Sequence, residues 1–194
     1  DPARYVAWKA NTRDMTLESL REKLATKEVR FFHIDGEHSH DALTIDLELA
    51  TLVMHEKGVI ALDDMLHPGY PTLMVAVQQY LERHPEMVVL CIIDRETIVA
   101  ATKFVLCRRD WFKRYEERLL VDYKANIWPL GADFEPHWCL VLSLDRNLGI
   151  NAGFDRVGRA ITVKNKWRAP RYGIAATFDD PFTRVPISTE QWLA

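Results

Sequence analysis

Two short apolar runs that each stop on acids constrain this chain more than any other feature: VRFFHID at 29–35 and GVIALDD at 58–64. Both are rich in β-branched or aromatic residues and end where a turn begins, as buried strands do. Between them, His40 to His55 places Leu43, Leu47, Ala50 and Met54 at helical spacing, and Lys57-Gly58 closes that helix. Strand, helix and strand with short connections form a βαβ unit, whose parallel strands end on one edge of the sheet. Asp35 is therefore expected to meet Asp63 and Asp64 in space. The side chains of the first strand are expected to be covered on both faces.

The alternation continues on either side. Leu17, Leu20 and Leu24 predict a surface helix over 15–24 with Thr16 as its N-cap. After the Gly/Pro-marked loop MLHPGYP comes a helix over 72–83, with Leu73, Val77, Tyr80 and Leu81 inward. The apolar strand MVVLCII follows, and KFVLC at 103–107 reads as a further strand beside it. Residues 1–108 thus read as a doubly wound α/β unit. Beyond Arg108 the texture changes: DWFKRYEERLL is a helix or connector. WCLVLSL, RAITVKN and YGIAATF then alternate with turn signals at Asp145-Arg146-Asn147, Asn165-Lys166 and Asp179-Asp180-Pro181. Residues 109–194 read as a β-rich extension.

Composition narrows the partners. With 48% hydrophobic residues, 194 residues can bury the core of one domain or one and a half. A formal charge of −3 gives no general pull toward nucleic acid or an anionic membrane, and no apolar run approaches a spanning length. Cys91, Cys107 and Cys139 are widely spaced within apolar runs, which predicts buried free thiols, a reducing compartment and a cytoplasmic location.

Ligands of open α/β sheets bind at the carboxyl ends of the strands. Here that edge carries Asp35-Gly36-Glu37-His38 and Asp63-Asp64. Three converging carboxylates repel one another unless a cation sits among them, and an oxygen-rich set suits Mg2+, Mn2+ or Ca2+. The plainer alternative has Asp64 capping the next turn, Asp63 solvated and Asp35 alone in the crevice. Among the histidines, His33 reads as a core residue and His40 as a solvent-facing helix start. His38, three residues past Asp35, is placed to act as a base beside a metal. Trp128, Trp138, Trp167 and Trp192 read as core residues first and as a sugar-stacking face second.

The strings FFHIDGEHSHDALTIDLELA and KGVIALDDMLHPGYP, with VAVQQYL in the next helix, resemble the class I S-adenosylmethionine-dependent methyltransferases. In particular they resemble the branch related to the macrolide-sugar and aminocoumarin O-methyltransferases. The resemblance covers roughly residues 1–107 and is most specific at IDGxH and at the GVIxxDD strand. It implies a partial Rossmann-like methyltransferase sheet in which 29–35 and 58–64 are the fourth and fifth strands. It also implies Mg2+, or another divalent cation, at Asp35, Asp63 and Asp64, and His38 as the base that deprotonates a hydroxyl of a small-molecule acceptor such as a sugar. Asp1 would match the acid that bonds the ribose, Thr12 and Asp14 would lie near the adenine, and Asp35 would border the cofactor. The family's Gly-rich cofactor loop has no counterpart here; the nearest glycines, Gly149 to Gly153, lie in the β-rich extension. Residues upstream of Asp1 are expected to supply it. Two other classes remain open: a methyltransferase-derived module that has lost cofactor binding, and a metal-dependent hydrolase or hydroxylase using the same acids. A homo-oligomer is also left open.

Overall fold

A computed structural model describes residues 7, 9–24, 28–94, 102–134 and 137–143. The expected strands at RAITVKN and YGIAATF, Asp1, Gly149, Gly153, Trp167 and Trp192 lie outside them. The fold is mixed α/β and Rossmann-like, with one six-stranded sheet. The two apolar runs become β1 (Val29–Ile34) and β2 (Met54–Met65). They pair in parallel, and α2 (His40–Val53) crosses between them. Ser39 caps α2 by accepting from the Ala42 amide, which spares one orphan donor of the first turn. Ahead of β1 lie a 3-10 turn at Thr12–Asp14 and the short helix α1 (Leu17–Lys23). Thr16 and Ser19 cap α1 reciprocally.

From β2 the chain runs through α3 (Thr72–Arg83) to β3 (Met87–Ile93) and then to β4 (Thr102–Arg108). β4 is antiparallel to both β2 and β3 and lies between them. Helix α4 (Arg109–Asp122) leads to β5 (Ile127–Phe134) and β6 (His137–Leu142). β6 joins β3 in parallel, so the sheet continues across residue 108 in the order β1-β2-β4-β3-β6-β5. Strands β1, β2, β3 and β6 run one way and β4 and β5 the other.

Each face of the sheet has its own apolar layer. Leu43, Leu47 and Ala50 of α2 and Leu73, Val77 and Tyr80 of α3 pack on Ile60, Leu62, Leu106 and Phe104. On the other face Phe112, Tyr115 and Leu119 of α4 pack against Val88, Leu90, Cys107 and Leu140. β1 departs from expectation. None of its residues is fully buried and Phe31 is 61% exposed, because β1 is an edge strand of the described sheet. His33 is likewise no core residue: it lies on the open face of β1 with its side chain 44% exposed. Among the described residues no helix is long and apolar enough to cross a membrane.

Candidate functional site

The parallel pairing of β1 and β2 brings their carboxyl ends to one edge, as the sequence predicts. Asp35 follows β1 directly, and the loop Gly36–Ser39 carries His38 back over the end of β2. Asp35, His38 and Asp64 each offer a ligand atom within 4.8 Å of the others. Nε2 of His38 lies 2.5 Å from an Asp64 carboxylate oxygen. The imidazole also stacks on Tyr70, with ring centroids 4.2 Å apart and planes inclined by 13°, and His67 stacks on Tyr70 as well. The histidine is thus fixed in direction by a carboxylate and in plane by a phenol ring.

Asp63 does not join this trio. Consecutive residues of a strand point to opposite faces, so the two acids at the end of β2 part company. Asp63 turns to Lys103, with His33 Nε2 3.4 Å away, while it still borders the small cleft shared by Asp35 and His38. Burial alone would raise the Asp63 carboxyl. The Lys103 ammonium, the Asp64 amide and the nearby His33 outweigh it and hold the group below the ordinary carboxylate range. Lys103 reaches this edge because β4 runs antiparallel and begins where β2 ends.

The end of β2 is conformationally unusual. Asp64 and Leu66 have φ of 54° and 59°, the left-handed region that L side chains rarely adopt. Met65 between them is wholly buried, so core packing holds the turn in place. The arrangement swings Asp64 off the strand toward His38, and the sheet register shifts at the same point. Strain that the surrounding core over-determines is characteristic of working sites.

Beside the trio, a cavity of about 290 Å3 is lined by Thr12, Met15, Phe32, Asp35, Gly36 and Asp46, among others. Two of the residues that the resemblance assigns to the cofactor, Thr12 and Asp35, therefore share one hollow. Asp14 is exposed in the neighbouring turn and does not line it. Asp1 lies outside the described residues. The turn and the loop are tied at the surface by Arg13, which donates to Glu37 and to the Ser39 hydroxyl. His40 opens α2 and engages Asp41 and Gln79, so it takes no part in the trio. Trp128 and Trp138 are half-buried on β5 and β6, within the sheet.

Sequence reasoning missed Lys103, Tyr70 and Asp46. Lys103 could not be found without the direction of β4, and Tyr70 sits in a loop whose path no periodicity reports. Asp46 carried a signal, being an acid three residues after Leu43 and four before Ala50, on the buried stripe of its helix.

A family model described as a methyltransferase domain matches residues 2–65, the segment that ends with β2 and the turn carrying Asp63 and Asp64. The match is a likeness to methyltransferase domains over that segment of the chain. No curated protein and no solved structure matches the chain.

Proposed function

We propose that this protein is an S-adenosylmethionine-dependent O-methyltransferase, assisted by a divalent cation, acting on a hydroxyl of a sugar or sugar-bearing small metabolite. The observation that carries this reading is the convergence of Asp35, His38 and Asp64 within the segment that matches a methyltransferase domain. Asp64 engages Nε2 of His38, which leaves Nδ1 as the ring nitrogen able to accept a proton. A base oriented by a carboxylate on one nitrogen and working with the other is a general device for activating hydroxyls. Tyr70 keeps the ring from rotating away.

Bound S-adenosylmethionine would supply the methyl group, with Thr12, Asp14 and Asp35, and Asp1 from outside the described residues, assigned to hold it. The donor set also fits a hard cation. Asp35 and Asp64 offer oxygens at the edge of the sheet, both reachable from solvent, whereas Asp63, the third expected ligand, is engaged by Lys103. Mg2+ or Mn2+ held there would lower the pKa of the acceptor hydroxyl. His38 then takes the proton, and the cleft beside it positions the acceptor.

Calorimetric titration of the purified protein with S-adenosylmethionine, with and without Mg2+, tests the reading. Binding is expected, as is EDTA-sensitive methyl transfer from labelled cofactor to hydroxyl acceptors. No binding under either condition overturns it, and transfer at full rate in EDTA removes the cation.

A further inference from the structure

Asp46 sits in the second turn of α2, directly beneath the site, and the proposed reaction gives it no task. Its Oδ1 is shut off from solvent, and among the described residues no hydrogen-bond donor reaches it. Burial pushes the carboxyl above the ordinary range, while the Thr12 side chain, which lines the same cavity, and the charge of Arg13 pull it back. On the other side the carboxylate lies against the loop after β1. A Cβ built on Gly36 would come within 3.1 Å of Asp46 Oδ2, so the glycine of the IDG string allows this close approach.

A carboxylate oxygen buried without a donor works against folding. A leucine of nearly the same shape would relieve that cost, since the rest of this helix face is apolar. Residues that break a local rule in this way are expected where a site needs them. The need here is geometric. Thr12 belongs to the turn assigned to the cofactor, and Gly36 belongs to the loop that carries Asp35 and His38. Arg13 and Glu37 bridge the two segments at 2.9 Å, but both are well exposed, and such surface pairs contribute little. Asp46 is the inner bridge, mounted on a helix anchored in the core by Leu43, Leu47 and Ala50.

We propose that Asp46 is a positioning residue: its carboxylate holds the Thr12–Asp14 turn and the Asp35–Ser39 loop in register, so that cofactor and base face each other. This rests on the reading given under Proposed function. It goes beyond that reading in assigning a fold-opposing acid outside the reacting groups to alignment.

Asp46→Leu and Asp46→Asn in the full chain separate alignment from simple structural support. Asp46→Leu is expected to melt at the same temperature as the wild type or higher, while kcat or S-adenosylmethionine affinity falls at least tenfold. Amides of 12–14 and 36–39 should exchange with deuterium at least tenfold faster, with β3 unaffected. Asp46→Asn, which keeps an acceptor for Thr12, should stay within about threefold of wild type. A lower melting temperature with unchanged kcat and affinity per folded molecule would instead make Asp46 structural. If Asp46→Leu does not fold, Gly36→Ala displaces the same carboxylate from the loop side and should give the same exchange signature. Unchanged exchange in both segments, in whichever variant folds, overturns the proposal. A wild-type protein that binds neither S-adenosylmethionine nor Mg2+ overturns the functional reading instead, and the exchange data still decide on Asp46.

Discussion

His38 owes its assignment to its neighbours more than to its place in the chain. Asp64 takes one ring nitrogen and Tyr70 takes the ring plane, which leaves one nitrogen and one direction for chemistry. His38→Ala should lower kcat by about a hundredfold and leave S-adenosylmethionine affinity nearly unchanged, since the imidazole acts on the acceptor and not on the sulfonium. Single-turnover rates with titrated cofactor affinity check this. An undiminished single-turnover rate moves the base to Glu37 or His67. The sequence made Asp35, His38 and the two acids of β2 visible, because acids after apolar runs stand out. What it obscured was the parting of Asp63 and Asp64. Strand alternation already separates neighbours, but the left-handed turn that carries Asp64 to His38 is set by the burial of Met65 and by Leu66, which no local pattern announces.

Among the elements, α2 is the one on which both the core and the site depend. Its first turn follows the loop that carries His38, its second holds Asp46, and Leu47 between them and the core is completely buried. Leu47→Ala should destabilise the protein by about 2–5 kcal/mol, the range for a buried leucine whose cavity the core cannot close. Denaturant unfolding measures it, and a loss below about 1 kcal/mol would mean that α3 collapses onto the gap. Helices α1, α2 and α3 were legible to within a few residues from apolar spacing, but α2 ends at Val53, and Lys57-Gly58, expected to close it, lies within β2 because that strand already begins at Met54. The exposure of β1 was not, since an apolar run looks the same at the edge of a sheet as in its middle. β4 was foreseen as a strand beside β3, but its insertion between β2 and β3 was not, because pairing partners are a property of the whole sheet. That insertion brings Lys103 to Asp63.

Across the whole molecule, the two apolar layers set how the fold responds to alkali. Cys91, Cys107 and Cys139 are all buried and unpaired, and burial pushes each thiol from its ordinary value of 9.0 up to about 12. Burial does the same to Tyr80, from 10.0 to about 12, against the opposing hydrogen bond between its hydroxyl and that of Thr51. These four groups lie in both layers, so they report on the entire sheet. For an acid whose folded value is raised, the unfolded chain loses its proton first. Stability is therefore complete below pH 9 and falls as the pH rises from 9 toward 12, by on the order of 1 kcal/mol per pH unit for each group. Four such losses over two units come to on the order of 8 kcal/mol, comparable to the whole stability of about 5–15 kcal/mol of an ordinary domain. The melting temperature should hold steady from pH 7 to 8.5 and drop steeply above pH 9.5. At pH 8 the native protein should leave a thiol reagent unreacted, and three thiols should titrate at once when urea unfolds it. A native thiol that reacts rapidly at pH 8 would show that one layer opens without global unfolding, and Cys91, Cys107 and Cys139 replaced singly by alanine would identify which.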